Sequence, residues 1–142
     1  MFNYLTRFRL AVSQNPLEWV ARIGVFGTFL GHGTVALGVN AKWIPLLTSV
    51  GFTAEQAIFL MPFIGIMDII VALVVLLVYR VRLVLVWAVI WAFLAALSRP
   101  VSGEPFVEFI ERSANWCLPL VLLMLKRNQK NIPRTEPLVR EE

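Results

Sequence analysis

The chain has 142 residues, of which 58% are hydrophobic and 15% are charged, with a mean hydropathy of +0.75. Soluble domains of this size are less apolar and more highly charged, so the composition indicates an integral membrane protein with a single domain. One cysteine, Cys117, and one histidine, His32, exclude an internal disulfide and a histidine cluster within one chain, and we predict no metal site. The net charge of +4 does not predict a nucleic-acid partner, because the positions of the basic residues have another explanation.

Residues 1–15 lack an unbroken apolar region and a small-residue cleavage site, so they are not typical of a signal peptide. Their apolar residues recur at helical spacing, with Arg7 and Arg9 off that stripe, which predicts a short interfacial helix lying on the membrane. A frayed tail is the alternative. Asn15 and Pro16 then form an N-cap and first-turn pair for a longer helix.

Four segments are candidates for membrane-spanning helices, which need about 20 mostly apolar residues, although the strongly apolar part of the fourth is too short to span alone. They run from about 16 to 39, 54 to 79, 81 to 97 and 104 to 125. The second begins with a capping box, in which Thr53 is the N-cap and Gln56 follows three residues later. The predicted fold is therefore all-α, a four-transmembrane-helix bundle over 16–125, followed by a polar C-terminal tail over 126–142. The fourth helix has a polar first half, so we expect it to begin outside the membrane or against a wet cleft.

Basic residues are unevenly distributed between the two ends of this bundle. Ten lie on the side of the termini, namely Arg7, Arg9, Arg22, Arg80, Arg82, Lys126, Arg127, Lys130, Arg134 and Arg140. The other side has three, namely Lys42, Arg99 and Arg112. Because basic residues are retained on the cytoplasmic side, we predict a multi-pass protein of the cell inner (plasma) membrane with both termini cytoplasmic. The basic tail is expected to contact anionic membrane lipids.

Asp68 lies in the apolar stretch FIGIMDIIVALVVLL, about 16 Å along the helix from Ala57 and therefore near the bilayer midplane. A central carboxylate costs about 2.5–3.5 kcal/mol on insertion scales. Gly65 and Ala72 make the same face small enough for a close approach to a neighbouring helix. Two interpretations remain open: a buried ion pair that fixes helix packing, and a proton or ligand site.

The first span contains RIGVFGTFLGHGTVALG, and its glycines are predicted to form one close-packing helix face, consisting of Gly24, Gly27, Gly31 and Gly38. His32 lies beside that face. A hydrogen-bonded packing role for His32 is favoured over haem ligation, for which Met61 or Met67 would supply the second axial ligand. No cofactor is assigned with certainty, haem is disfavoured, and quinone is retained as a candidate.

The start of the fourth span places polar side chains on one helical face, namely Glu104, Glu108, Glu111 and Asn115. This face is either a solvated outer end or a surface turned inward. In the second case, Glu111 and Asn115 would line a cleft open to the non-cytoplasmic side. The cleft would also contain His32, Asp68 and Arg99, and the tryptophans of the chain could stack on a quinone ring.

Two stretches, ARIGVFGTFLGHGTVALGVNAKW and FIGIMDIIVALVVLL, make the chain similar to the DoxX-like family of small four-helix membrane proteins. Family members tend to have an arginine near the start of the first span, a glycine-rich end followed by lysine, and an acidic residue after a glycine in the second span. The corresponding residues are Arg22, Gly31, Gly33, Lys42, Gly65 and Asp68. The resemblance covers about residues 18 to 125; the acidic residue is usually glutamate, and SRPVSGEPFVEFIERSANW is not a general family feature.

The resemblance implies a membrane subunit, since some DoxX-like proteins belong to thiosulfate:quinone oxidoreductases and others act in redox-stress complexes. We therefore expect an accessory subunit of a larger redox or electron-transfer complex, with other membrane protein subunits as partners. The alternatives are a quinone- or lipid-binding redox protein and a small transporter or proton carrier. An enzyme is not favoured, because no complete catalytic set is present. The family pattern also suggests that Arg22 pairs with Asp68.

Overall fold

The computed structural model describes residues 15–78 and 82–128, which form helices and no strand. The elements in chain order are α1 (Pro16–Leu37), a 3-10 turn (Ala41–Trp43), α2 (Ile44–Thr48), α3 (Ala54–Leu77), α4 (Arg82–Val101), α5 (Val107–Glu111) and α6 (Ser113–Asn128). Three of them, α1, α3 and α4, are long and apolar enough to cross a membrane. The predicted all-α class and the predicted membrane character are thus confirmed.

The two long helices α1 and α3 begin as the sequence predicts. The Asn15 side chain accepts a hydrogen bond from the Leu17 N–H at 3.0 Å, and Pro16 occupies the first turn. At α3 the Gln56 N–H donates to Thr53 Oγ1 at 3.2 Å, while the Thr53 N–H donates to Gln56 Oε1 at 2.9 Å. Both starts therefore satisfy N–H groups that have no partner within the helix.

The predicted fourth span is divided into two helices at Arg112. The five-residue α5 precedes this break, and the 16-residue α6 follows it. Because α6 is shorter than a typical span, the fourth membrane crossing remains a prediction. α6 also continues to Asn128, into the segment predicted as tail. The predicted interfacial helix at 1–14 and the remainder of the tail at 129–142 lie outside the described residues.

The four longer helices enclose one apolar core. α1 packs most extensively against α3, α4 packs against α6, and α1 also touches α6. The buried core residues are Ala21, Val25, Phe29, Val71, Ala72, Val75, Leu85, Ala88, Ala92 and Leu122. α3 and α4 are consecutive but contact each other little. We call the end that holds the α1–α3 and α4–α5 connections the outer end, and the opposite end the inner end.

The closest helix contact joins α1 and α3 at two glycines. A Cβ built on Gly33 would lie 2.8 Å from the Gly65 carbonyl oxygen, and one on Gly65 would lie 2.7 Å from the Gly33 carbonyl oxygen. Both distances are far below van der Waals contact, so neither position has room for a side chain. Gly65 therefore lies in a close helix contact with Gly33, which is not a member of the predicted glycine face.

The predicted packing face of α1 is wrong for two of its glycines. Gly27 and Gly31 are exposed, and a Cβ at either would meet no atom of the described residues within 4 Å. Gly24 does face a neighbour, the Leu118 side chain of α6, while Gly38 caps the end of α1. Helical spacing identified glycines that share a face, but the sequence did not show which face meets α3.

Candidate functional site

A cavity of about 390 Å³ occupies the outer end of the bundle. Its walls come from α1, α2, α3, α4 and the α5–α6 junction, and most of the lining side chains are apolar. The polar and charged side chains that line it are His32, Asp68, Ser98, Arg99, Arg112 and Asn115. Its volume falls within the range of about 300–1,000 Å³ typical of small-molecule sites. Four of the predicted site residues, His32, Asp68, Arg99 and Asn115, therefore meet in one cavity.

Asp68 lies at the inner end of this cavity. Asp68 is only 4% exposed, and its Oδ1 atom has no hydrogen-bond partner among the residues that the structure describes. The Trp91 indole of α4, a hydrogen-bond donor, faces the same carboxyl group and also lines the cavity. A buried carboxyl oxygen without a donor is uncommon, because most buried polar atoms are hydrogen-bonded.

The outer part of the cavity contains two arginines, each paired with a glutamate. Arg99 Nη1 donates to both carboxylate oxygens of Glu104, at 3.0 and 3.1 Å. Arg112 Nη1 donates to the backbone oxygen of Glu108 at 2.8 Å and also to its carboxylate. The His32 ring lines the same cavity and packs edge-on against Trp43, with ring centroids 5.8 Å apart. This part of the cavity is therefore polar and cationic.

Two predicted site residues do not reach the cavity. Glu111 is exposed at the end of α5 and does not line the wall, so the prediction that it turns inward is wrong. Arg22 lies near the inner end of the bundle and does not pair with Asp68, which corrects the second prediction. Its guanidinium group extends towards the end of α3 instead of upward towards the cavity.

The true partner of Arg22 is Glu18, one helical turn earlier on α1. Arg22 Nη2 and Nε donate to Glu18 Oε1 at 2.8 and 3.0 Å, and both residues are 0% exposed. Arg22 Nη1 also donates to the carbonyl oxygens of Val75 at 2.6 Å and Val78 at 3.1 Å. The last carbonyls of a helix have no partner within it, and a cation is favoured there. Glu18 was missed, although its i,i+4 spacing to Arg22 was the available signal.

With the geometry established, comparison with known proteins identifies the fold family. A model of the DoxX-like family matches residues 27–101, which is more than half of the chain. The chain belongs to the DoxX-like family. The match confirms the family resemblance and runs from the middle of α1 through α4. No curated protein and no solved structure matches the chain.

The matched region of this DoxX-like protein contains most of the cavity wall but not all of it. His32, Asp68 and Arg99 lie within 27–101, whereas Arg112 and Asn115 lie beyond it. The cavity therefore combines residues from the family-matched region with residues contributed by the α5–α6 segment.

The DoxX-like chain also contains the histidine and methionines that were considered as haem ligands. Met61 lines the same cavity as His32, whereas Met67 lines a shallow groove between α3 and α4. Within 15–78 and 82–128, no group of three His, Cys, Asp or Glu side chains is placed to hold a metal ion.

Proposed function

We propose that this DoxX-like membrane protein binds a lipophilic small molecule, of the quinone or lipid class, in the outer cavity. The observation that carries the proposal is Asp68, a buried carboxyl group in the cavity wall with one oxygen lacking a donor. Leaving a buried polar group unsatisfied costs about 1–3 kcal/mol. Ionisable residues inside membrane helices mark functional sites by default, and a bound ligand would supply the missing donor.

The rest of the cavity suits such a ligand. Apolar side chains such as Phe29, Met61 and Ile64 line most of it, as in other small-molecule sites, where a few polar groups fix the orientation. A hydroxyl group of a quinol or a lipid would donate to Asp68 Oδ1, and the Trp91 ring would lie beside it. A quinone, when bound, would supply electron-transfer chemistry, while the residues of the chain would hold and orient it.

Lipid extracts of the purified protein test this proposal directly. The protein would be purified from native membranes in mild detergent, extracted with organic solvent and analysed by mass spectrometry. We expect a lipophilic species at roughly one molecule per protein, reduced by Asp68→Asn. The matched control is Glu55→Gln, which neutralises an exposed carboxylate on the same helix, outside the cavity.

A second pair of variants tests the position of the ligand rather than its hydrogen bond. Ala95 lines the cavity, so Ala95→Trp should fill part of it and exclude the ligand. Ile90→Trp places the same side chain on an exposed position of α4 that does not line the cavity, and should leave the ligand bound. Repeated extraction of no enriched species from the wild-type protein would count against the proposal.

We also propose, as a second candidate function, that the protein is an accessory subunit of a larger membrane complex. The support is the exposed face of α1 at Gly27 and Gly31, a GxxxG pair with open space around it. Small residues at this spacing let another transmembrane helix approach closely. Gly27→Leu with Gly31→Leu should then abolish co-purification of a partner, while the two alanine substitutions should retain it. A monomer without any co-purifying protein would contradict this function.

The proposed orientation places both termini in the cytoplasm of a cell with an inner (plasma) membrane. Its support is the excess of basic residues in the terminal sequence segments and between the second and third predicted spans, which persists when the buried Arg22 is set aside. In a Cys117→Ser background, a cysteine at the exposed Thr48 should react with an impermeant reagent applied from outside. One at Thr135 should be protected. Labelling of Thr135 from outside intact cells would reverse the orientation.

A further inference from the structure

Two arginines line the outer part of a cavity whose walls are otherwise largely apolar. Arg99 lies near the end of α4 and Arg112 between α5 and α6, and their side chains are 14% and 26% exposed. Both arginines line the same cavity as His32. Partly buried cations next to apolar walls are unfavourable unless anions face them.

The anions that pair with these arginines within the chain are partly exposed glutamates. Glu104 and Glu108 belong to the segment that connects α4 to α6, and their side chains are 31% and 32% exposed. Neither lines the cavity. Because both glutamates are partly exposed, water and salt screen these ion pairs and reduce their contribution to stability. An anionic ligand that enters the cavity can therefore compete with a glutamate for its arginine.

The arginines also retain donors for such a ligand. Among the described residues, both guanidinium groups form their hydrogen bonds through Nη1 alone. The Nε and Nη2 groups of each arginine remain. A guanidinium group can donate two parallel hydrogen bonds to a carboxylate or a phosphate, and such charge-assisted bonds are the stronger kind. The outer part of the cavity thus has the chemistry of an oxyanion site.

We infer that the cavity takes an amphiphile with an oxyanion head group at Arg99 and Arg112, an apolar body between α3 and α4, and a hydrogen-bond donor at Asp68. Trp91, which faces Asp68, and Arg99 are eight residues apart on α4, or about 12 Å, which sets the length of that body. The inference rests on the proposed function and narrows its ligand class. An isoprenoid quinone would have to place its hydrocarbon tail beside two guanidinium groups, whereas a carboxylate or phosphate amphiphile satisfies them.

Three single-chain probes separate the two polar contacts. ω-Hydroxydecanoate has both groups, its methyl ester retains the hydroxyl but has no charge, and decanoate retains the charge but has no hydroxyl. Binding would be measured by titration calorimetry with the full chain in nanodiscs of zwitterionic phosphatidylcholine. We expect saturable binding of ω-hydroxydecanoate, with the ester weaker by about tenfold or more because it loses the charge-assisted hydrogen bonds. Decanoate should also bind more weakly than ω-hydroxydecanoate, but its loss of affinity should be smaller than that of the ester.

Substituting the arginines of these ion pairs and substituting a glutamate should change the ligand affinity in opposite directions. Arg99→Gln and Arg112→Gln should each weaken the binding of ω-hydroxydecanoate by about tenfold and leave the affinity for its methyl ester unchanged. Arg82→Gln, an exposed arginine at the other end of α4, is the matched control. Glu104→Gln removes a competing intrachain anion, so it should tighten binding of the acid and not of the ester. This gain of affinity cannot result from a loss of folding.

The outcomes distinguish the inference from the function on which it rests. Equal affinities for acid and ester, together with no effect of the two arginine substitutions, would overturn the oxyanion site and leave a neutral lipophilic ligand. The same conclusion would follow if an isoprenoid quinone bound saturably and ω-hydroxydecanoate did not. No saturable binding of the acid, the ester or the quinone would overturn both.

Discussion

The two ends of the bundle both contain buried ionisable side chains, but they differ in how fully those side chains are hydrogen-bonded. At the inner end, Arg22 is bonded to Glu18 and to carbonyl oxygens at the end of α3. In the wall of the cavity that opens from the outer end, Asp68 has an oxygen without a hydrogen-bond donor among the described residues. The same type of residue can therefore be structural or available for a ligand, depending on whether the chain itself supplies the partner.

The same difference in hydrogen bonding determines what each buried ionisable residue costs in stability. A buried ion pair is maintained when further hydrogen bonds satisfy the remaining donors, and Arg22 has these from Val75 and Val78. A carboxyl group without such support costs stability. Proteins retain unfavourable groups of this kind at functional sites, which is why the outer cavity and not the inner pair is the candidate site.

The largest expected effect is the loss of Arg22. Arg22→Met leaves Glu18 buried without its cationic partner and the end of α3 without its donor, so unfolding free energy should fall by about 3–5 kcal/mol. Thermal unfolding in detergent, with near-ultraviolet circular dichroism as the readout, measures the change. Adding Glu18→Leu should recover part of the loss, because it removes the carboxylate that has lost Arg22 but does not restore the donor to the carbonyls of α3.

A double-mutant cycle between Arg22 and Asp68 serves as the control for the Arg22 and Glu18 substitutions. The Val75 carbonyl that binds Arg22 is seven residues from Asp68, or about 10 Å along α3, and no hydrogen-bonding partner is shared in the described residues. The losses from Arg22→Met and Asp68→Leu should therefore add to within about 0.5 kcal/mol. A large coupling energy between them would restore the ion pair suggested by the sequence and remove the contrast between the two ends.

An intermediate effect is expected at the glycine contact that joins the two regions. Gly65→Ala places a methyl group against the Gly33 backbone, and overpacking of this kind costs about 1–3 kcal/mol. Gly27→Ala, on the exposed face of α1, should be neutral or stabilising, since alanine has the higher helix propensity. The same unfolding assay measures both. Equal effects of the two substitutions would show that α1 and α3 do not touch at Gly33.

The smallest effect on stability is expected at Asp68. Asp68→Asn keeps the shape of the side chain and removes a charge that has little hydrogen-bonding support, so the unfolding free energy should change by less than about 1 kcal/mol or rise. Measured beside Arg22→Met, this substitution should affect the bound lipophilic species and not the fold. A loss as large as that of Arg22→Met would make Asp68 a structural residue.

Much of the fold followed from hydrophobicity and helix-capping chemistry. The starts of α1 and α3 were predicted from Asn15, Pro16, Thr53 and Gln56, because these signals are local. The division of the fourth span at Arg112 was not predicted, although its polar first half had been noted. There, Arg112 donates to the Glu108 backbone and carboxylate where a continuous helix had been expected.

The candidate site was predicted only in part, because rotation and tilt of helices are set by packing. Helix depth was enough to place His32 and Arg99 in the outer part of their spans and Asp68 near the middle of α3, and all three line one cavity. It was not enough to choose a partner for Arg22, whose long side chain could extend either way. The direction was decided by the nearby Glu18 and by the carbonyls at the end of α3.

The shortness of α6 has a consequence for the lipid around the protein. Its 16 residues correspond to about 24 Å, less than the hydrocarbon thickness of about 30 Å. If α6 crosses the membrane, this hydrophobic mismatch is relieved when the bilayer thins beside it. Lipid head groups on that flank would then lie deeper, close to Arg112 and Asn115 at the cavity wall. An amphiphile could thus pass sideways from the adjacent leaflet into the cavity while its head group stays hydrated.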